Sequence, residues 1–258
     1  MGNKKKKNKN TLGKRVWYFR VLKWIMRVRY KEPDFRYLGE EITNGGLILS
    51  NHEGTDAPLS LEIYSGKPLR MWGAYEMNSG LVKMYKYQSR VYFHEKKHWN
   101  LFLARLFCLI ASPLTWLYYS GLNLISVYRD MRLLTTIRES IEALEAGENI
   151  AIYPEKSDKG YLAELEGFFA GFVMLAEVAY RKKKMDVPIF VSYFRKKDLT
   201  YIIDRPVRYS ELAAGGASRE EIAKMLCDRC NELGKMQFDA DGNVIAPAEA
   251  PAEEAVYA

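Results

Sequence analysis

Four short apolar runs, each bounded by turn or polar residues, predict strands that are buried in a protein core. They occupy residues 46–50, 123–127, 149–153 and 187–193. Between and after these runs, apolar residues recur at helical spacing over 130–147, 168–181 and 218–235. Because strands and helices alternate along the chain, we predict an α/β fold in which a central, mostly parallel sheet is flanked by helices.

Residue types typical of helix ends support these boundaries. Asp130 can cap the first of the three helices, which we expect to end at Gly147. Ser218 and Glu221 have the spacing of a capping box, which predicts the start of the last helix at this point.

Near the N-terminus, the pattern is that of a basic amphipathic helix over residues 16–28. Arg20, Lys23 and Arg27 fall on one helical stripe. The opposite side is apolar and consists of Trp17, Val21, Trp24, Ile25 and Val28. Because this apolar length is too short to span a bilayer, we predict a membrane-binding helix in the headgroup region, with its cations toward anionic lipid. The alternative is a helix that packs on the protein core.

Charge is distributed unevenly along the chain. Residues 1–31 carry 12 Lys/Arg and no Asp/Glu, whereas residues 32–258 carry 27 Lys/Arg and 32 Asp/Glu. A nucleic-acid-binding domain is expected to carry its basic residues on a folded face, so this distribution argues against such a domain. It fits a basic arm that binds a polyanion, either a membrane surface or RNA, and the amphipathic helix favours the membrane, with no nucleic acid as partner.

Length and composition are those of a globular protein with a full core, since the chain has 258 residues of which 48% are hydrophobic and 28% charged. We divide it into a polybasic arm with the amphipathic helix at 1–31, an α/β domain at 32–238, and a disordered tail at 239–258.

The three cysteines of the chain include a single CxxC, Cys227 and Cys230. That number favours a reducing compartment over a disulfide framework or a zinc site.

Polar residues follow three of the predicted strands directly. Residues 51–56 follow the first strand, Arg129 follows the second, and residues 154–158 follow the third. The ligand crevice of an open α/β sheet lies at the carboxyl ends of its strands, so we expect these segments to converge. If residues 52–56 form a helical turn, the Asp56 carboxylate can orient the His52 imidazole as a base. The Arg129 guanidinium can bind a phosphate.

The order of these segments resembles that of the glycerophospholipid acyltransferase superfamily, the PlsC-like lysophosphatidate acyltransferases, over roughly residues 43–210. Residues 50–56, Ser-Asn-His-Glu-Gly-Thr-Asp, are similar to the NHx4D block of the family. Residues 121–129 are similar to its second block, which ends in Arg. The FPEGTRS…FKxG…LA block and the fourth block have counterparts at 153–158, 168–171, 175–176 and 187–189.

The resemblance implies an enzyme of phospholipid biosynthesis, an O-acyltransferase that is peripheral or monotopic on the cytoplasmic face of a membrane. It would move a fatty acyl group from a thioester, acyl-CoA or acyl carrier protein, to a hydroxyl of a lysophospholipid-like acceptor. His52 would be the general base and Asp56 its orienting partner. Arg129 would hold the acceptor phosphate, with Glu155 and Lys156 assisting. Neither a metal nor a cofactor is implied, because the acyl thioester is a co-substrate.

Two blocks depart from the family pattern. The first block is one residue short, because three residues instead of four separate His52 from Asp56. In the third block, Lys156, Ser157 and Asp158 stand in place of Gly-Thr-Arg. A catalytically inactive, lipid-binding relative is therefore an alternative. Condensation-domain acyltransferases also carry His-x-x-x-Asp, but that resemblance is poorer because Asn51 stands where they have a second His.

A second alternative comes from residues 94–98, His-Glu-Lys-Lys-His, which read as HExxH. On a helix, His94 and His98 would face the same way and bind zinc, with Glu95 as the general base of a zinc-dependent hydrolase. Residues 99–119 contain no His, Asp, Glu or Cys to supply a third ligand. The charged surroundings favour a solvated basic loop instead.

A long apolar stretch at 101–119 raises the question of a transmembrane helix. A single crossing there would place His52 and Arg129 on opposite sides of the membrane, which a shared site forbids. We therefore predict a buried, re-entrant or interfacial helix pair that is broken at Ser112 and Pro113.

Overall fold

The computed structural model describes residues 15–128, 130–156, 162–239 and 244–245. Within these residues, eight strands form one sheet in the order β1-β7-β6-β2-β5-β3-β4, with β8 paired to β6. These strands are β1 Asp34–Tyr37, β2 Leu47–Leu49, β3 Leu69–Ala74, β4 Ile125–Val127, β5 Asn149–Ile152, β6 Pro188–Arg195, β7 Thr200–Ile203 and β8 Val207–Arg208. A separate small hairpin pairs β9, Gln237–Phe238, with β10, Val244–Ile245.

The helices of the described chain flank this sheet. They are α1 Trp17–Arg29, α2 Asp56–Tyr64, α3 Tyr75–Asn78, α4 Leu81–Lys86, a π-helix Tyr87–Lys96, α5 Leu101–Leu122, α6 Leu133–Glu145, α7 Gly171–Lys183, α8 Tyr209–Ala213 and α9 Arg219–Lys235. Strands β4, β3, β5, β2 and β6 are parallel neighbours, and β7 and β8 run antiparallel to β6. The predicted α/β fold with a mostly parallel, helix-flanked sheet is therefore confirmed.

Two apolar cores lie on opposite faces of the sheet because successive side chains of a strand point to opposite sides. Leu47 and Leu49 of β2 belong to the core that α6, α7 and α9 cover. Ile48, between them, belongs to the core that α1, α2 and the end of α5 cover, where Phe19 and Leu122 are also buried. All three β2 side chains are buried, which explains the continuous apolar run in the sequence.

The four predicted strands are present as β2, β4, β5 and β6. The sequence pattern does not predict β1, β3 or β7, which complete the sheet. Strand β1 is a partly exposed edge strand that carries Asp34 and Arg36, and Arg70 and Gly73 interrupt the apolar pattern of β3. These segments are strands because they pair with neighbouring strands, and the local pattern of apolar residues does not reveal that pairing.

Helix starts differ from the sequence prediction at two places. Helix α6 begins at Leu133, and Asp130 instead accepts a hydrogen bond from the Arg132 amide at 2.9 Å. Helix α7 begins at Gly171 because Phe168 is bridged to Glu155 in extended pairing. The predicted capping box of α9 is confirmed: the Ser218 hydroxyl accepts from the Glu221 amide, and the Glu221 carboxylate accepts from the Ser218 amide.

Helix α1 forms over the predicted amphipathic segment, and two of its cations contact α2. Lys23 Nζ lies 3.2 Å from the Glu62 carboxylate, and Arg27 donates to the Ile63 carbonyl at 3.5 Å. Lys23 is therefore paired with a carboxylate of the protein, whereas Arg20 and Arg27 are exposed. That the basic stripe faces anionic lipid stays a prediction. Phe19 is fully buried, and the partly buried Tyr18 and Leu22 pack against the same core, so α1 also packs on the protein.

The apolar stretch after residue 100 is one continuous helix, α5, and the predicted break at Ser112 and Pro113 is wrong. Pro113 removes one backbone donor, yet the helix continues through it. Ser112 Oγ donates to Gln88 Oε1 of the π-helix at 2.7 Å, which anchors this point of α5 laterally. The helix is also mostly exposed, so of the buried, re-entrant and interfacial placements predicted for this stretch, the buried one is wrong.

Most of the predicted arm and tail lies outside the described residues, which begin at Arg15 and omit 240–243 and 246–258. Within the predicted tail, Val244 and Ile245 pair with β9. The cysteines, Cys108, Cys227 and Cys230, are free and buried.

Candidate functional site

The segments that follow β2 and β5 meet at the carboxyl edge of the sheet. Because these strands are parallel neighbours, the Ser50 amide donates to the Ile152 carbonyl, at 3.2 Å, just beyond β2. The His52 amide then donates to Glu155 Oε2 at 2.8 Å, and Glu155 is buried. Glu155 thus fixes the backbone of the predicted base.

Asn51 fixes the same loop on its other side. Its side-chain Nδ2 donates to the Phe194 carbonyl at 3.0 Å, and its Oδ1 accepts from the Phe194 amide at 2.7 Å. The buried Asn51 side chain therefore satisfies backbone groups of β6 beyond the last β2 residue. Local pattern does not predict this structural role of Asn51, since the contact spans 143 positions.

The His52 ring is oriented by a backbone carbonyl. His52 Nδ1 is hydrogen bonded to the Gly54 carbonyl. Since a carbonyl oxygen only accepts, Nδ1 carries the proton, and the neutral ring then has its lone pair on Nε2. In this tautomer, Nε2 is the ring nitrogen that can accept a proton as a general base.

Residues 52–56 do not form the helical turn that the sequence suggested. Glu53 and Gly54 have φ values of 39° and 69°, so the chain makes a tight left-handed turn before α2 begins at Asp56. The left-handed region is easily reached by Gly and rarely by Glu. The turn brings the Gly54 carbonyl to His52.

The Asp56 carboxylate binds Lys196 instead of His52. Asp56 Oδ2 lies 2.6 Å from Lys196 Nζ, and this pairing raises the pKa of the Lys196 ammonium. The hydrogen bond predicted between Asp56 and His52 is not among the described contacts. The sequence does not indicate Lys196, which lies in a turn between β6 and β7.

The other predicted substrate-binding residues lie around this edge or outside the described residues. Arg129 lies outside them, and so do the residues that follow Lys156 in the third block. Lys156 Nζ lies 5.9 Å from the centre of the Phe169 ring, and its amide donates to the Gly167 carbonyl.

Aromatic and charged side chains contact one another at the carboxyl ends of β3 and β4. The rings of Tyr75 and Tyr128, which directly follow β3 and β4, stack with centroids 5.4 Å apart. The Arg132 guanidinium lies 4.5 Å from the Tyr128 ring centre. It also pairs with the exposed Asp130 carboxylate, which lowers the pKa of Asp130 to about 2.

The HExxH segment lacks the geometry of a zinc site. The π-helix ends at Lys96, and His98 has a φ of 57°, so the two histidines do not lie on successive turns of one α-helix. His94 Nδ1 is hydrogen bonded to the Trp99 carbonyl at 2.8 Å. The described residues contain no group of three or more His, Cys, Asp or Glu side chains placed to hold a metal ion.

A broad apolar surface, here called the apolar face, lies on α1, α4 and α5. Its exposed members are Val16, Trp17, Val21, Trp24, Ile25, Val28, Leu81, Val82, Trp99, Phe102, Leu103, Leu106, Phe107, Leu109, Ile110, Leu114, Trp116 and Leu117. Trp17 and Ile110 are each 76% exposed. In the described chain, α5 alone is long and apolar enough to cross a membrane.

The apolar face and His52 lie on the same side of the sheet. The Tyr153 ring, 5.3 Å from the His52 ring, packs against the core that also holds Phe19 and Leu122. The Tyr118 and Tyr153 hydroxyls are buried without a hydrogen-bond partner among the described residues, and burial raises the pKa of both. An aromatic layer thus connects the predicted base to the helices of the apolar face.

Comparison with known proteins identifies no relative. No family model matches the chain, and no curated protein is significantly similar to it.

Proposed function

We propose that the protein is a membrane-bound O-acyltransferase that moves a fatty acyl group from an acyl thioester to a hydroxyl of a lysophospholipid-like acceptor. The observation that carries this proposal is the position of His52. Its backbone is fixed by Glu155 at the carboxyl edge of the sheet, and its ring lies on the same side as the apolar face. A base in this position can reach an acceptor whose acyl chain remains in lipid.

His52 Nε2 takes the proton from the acceptor hydroxyl as the oxygen attacks the thioester carbonyl carbon. The new carbon–oxygen bond forms, the carbon–sulfur bond breaks, and the departing thiolate receives the proton from the imidazolium. The Gly54 carbonyl supports this role, because it keeps the proton on Nδ1. The transfer is direct, without an acyl-enzyme intermediate.

Recognition of the acceptor phosphate is assigned to Arg129, with Lys156 as a second cation. A planar guanidinium suits bidentate binding of a phosphate. Two stacked tyrosine rings, Tyr75 and Tyr128, and the Arg132–Asp130 ion pair lie at the carboxyl ends of β3 and β4, the edge of the sheet where the acceptor would bind.

The proposed location is the cytoplasmic face of an anionic membrane, to which the chain binds without crossing it. The apolar face would enter the lipid, and its four exposed tryptophans, Trp17, Trp24, Trp99 and Trp116, suit the headgroup boundary. Helix α5 packs on α4 and the π-helix, and a helix held against the protein in this way suits an orientation in the plane of the membrane. The cations at 1–31 would add attraction to anionic lipid.

The test is a turnover assay with the full chain on vesicles of phosphatidylcholine and phosphatidylglycerol. Acyl-CoA or an acyl carrier protein thioester serves as donor, 1-acylglycerol 3-phosphate as acceptor, and release of free thiol is measured. Acceptor-dependent thiol release together with a diacylated product supports the proposal. Vesicle binding without turnover for any donor would instead identify a catalytically inactive lipid-binding protein, the alternative that the Lys196–Asp56 pairing favours.

A further inference from the structure

Lys196 lies in the short turn between β6 and β7, at the carboxyl edge of β6. Two contacts of its neighbour Arg195 hold this turn in place. The Arg195 guanidinium lies 2.7 Å from the Asp198 carboxylate within the turn, and it donates to the Met236 carbonyl just beyond α9. The turn therefore presents Lys196 to the first residue of α2, which is Asp56.

The Lys196–Asp56 ion pair is close but accessible to solvent. The Lys196 side chain is 59% exposed, and the Asp56 side chain 24%. Glu53 also attracts the ammonium, whereas Arg29 at the end of α1 repels it. Exposed ion pairs contribute little to stability, so an incoming dianion can replace one of the partners. A phosphate monoester carries up to two negative charges and accepts strong hydrogen bonds from an ammonium group.

We propose that Lys196 is a positioning residue that couples binding of the acceptor's phosphate monoester to the assembly of the His52–Asp56 pair. This inference rests on the proposed function. Without acceptor, Lys196 holds Asp56, and the Gly54 carbonyl orients His52. When the phosphate binds, Lys196 moves to it, and the freed Asp56 carboxylate replaces the Gly54 carbonyl on His52 Nδ1.

Gly54 lies in this turn with a φ of 69°, and glycine reaches other backbone conformations more readily than any other residue. The space beside its Cα atom is open, since a Cβ atom added there would meet nothing within 4 Å. A carboxylate on Nδ1 stabilises the imidazolium that forms during transfer, which a neutral carbonyl does less well. Phosphorylated acceptors are therefore selected through the rate of transfer as well as through binding.

The kinetic test compares 1-acylglycerol 3-phosphate with the same acceptor lacking phosphate. In Lys196→Met, kcat/KM for the phosphorylated acceptor should fall on the order of tenfold or more, the loss expected for one charge-assisted hydrogen bond. The kcat for the neutral acceptor should rise, because Asp56 is no longer held. Lys196→Arg should restore the wild-type preference, and Lys197→Met on the same turn should leave it unchanged. Equal losses with both acceptors would overturn the proposal.

A second measurement does not depend on turnover. The chain has three histidines, so the ring signals of His52 can be resolved by NMR in ¹³C-histidine-labelled protein and assigned with His52→Ala. Inorganic phosphate should shift the His52 signals of the wild type. Lys196→Met should show shifted signals without phosphate, and the added change Asp56→Asn should abolish that shift. His52 signals that coincide in the wild type and Lys196→Met would contradict the coupling, even if acyl transfer is demonstrated.

Discussion

At the scale of single residues, the candidate site depends on backbone groups as much as on side chains. Glu155 binds the His52 amide, Asn51 binds Phe194, and the Gly54 carbonyl binds the His52 ring. The sequence indicates His52 and Asp56, because a base and a carboxylate at this spacing can form a pair. It does not indicate which of several acceptors the ring selects, since the Gly54 carbonyl competes with Asp56 only in the folded turn.

The cysteines give a prediction at this scale. Burial raises the pKa of Cys227 to about 11, and it also raises the pKa of Cys108 and Cys230. A thiol with a raised pKa is protonated at pH 8, and the thiolate is the reactive form. We therefore expect all three thiols to react slowly with Ellman's reagent at pH 8 in the native protein and rapidly in guanidinium chloride. Fast reaction of a thiol in the native protein would contradict this account of the buried CxxC.

At the scale of elements, the structure explains which parts of the fold could be predicted. Strands β2 and β5 are buried on both faces, so their apolar runs are visible in the sequence. Strand β1 and its neighbour β7 depend on pairing across more than 160 positions, which local pattern does not encode. For helix α5, the local sequence predicts a feature that the fold does not have. Pro113 indicates a break, but the hydrogen bond from Ser112 to Gln88 supports one continuous helix.

The docking of α1 on α5 can be tested at a glycine. A Cβ added at Gly121 would lie 2.4 Å from Phe19 Cδ2, which is closer than packed carbon atoms approach. Gly121→Ala should therefore displace α1 and lower the free energy of unfolding by about 1–3 kcal/mol, measured by urea denaturation. Gly215→Ala is the matched control, because a Cβ there would meet nothing within 4 Å. Equal stability of the two variants would show that α1 does not pack on α5 as described.

At the scale of the whole molecule, the proposed membrane orientation depends on the apolar face. Trp24 and Ile110 are 69% and 76% exposed, so changing them to Ser should leave the fold intact. Each loses roughly 2 kcal/mol of transfer free energy if it is buried in lipid. We expect the Trp24→Ser/Ile110→Ser variant to bind anionic vesicles at least about tenfold more weakly in a sedimentation assay.

Salt and a control variant separate the two contributions to membrane binding. High salt should weaken wild-type binding only in part, because it screens the basic arm but not the apolar face. Met225→Ser removes an exposed apolar side chain from α9, which covers the other face of the sheet, and should have no effect. If the double variant binds as tightly as the wild type, the apolar face is not the membrane-binding surface.

The central claim is that His52 is the base of an acyl transfer, and paired histidine variants test it most directly. Acyl-thioester turnover should be measured for His52→Ala and His94→Ala on the same vesicles, with circular dichroism to show that both variants are folded. The account predicts that His52→Ala abolishes acceptor-dependent turnover, whereas His94→Ala retains most of it. Near-normal turnover in His52→Ala, or loss of activity confined to His94→Ala, would contradict it.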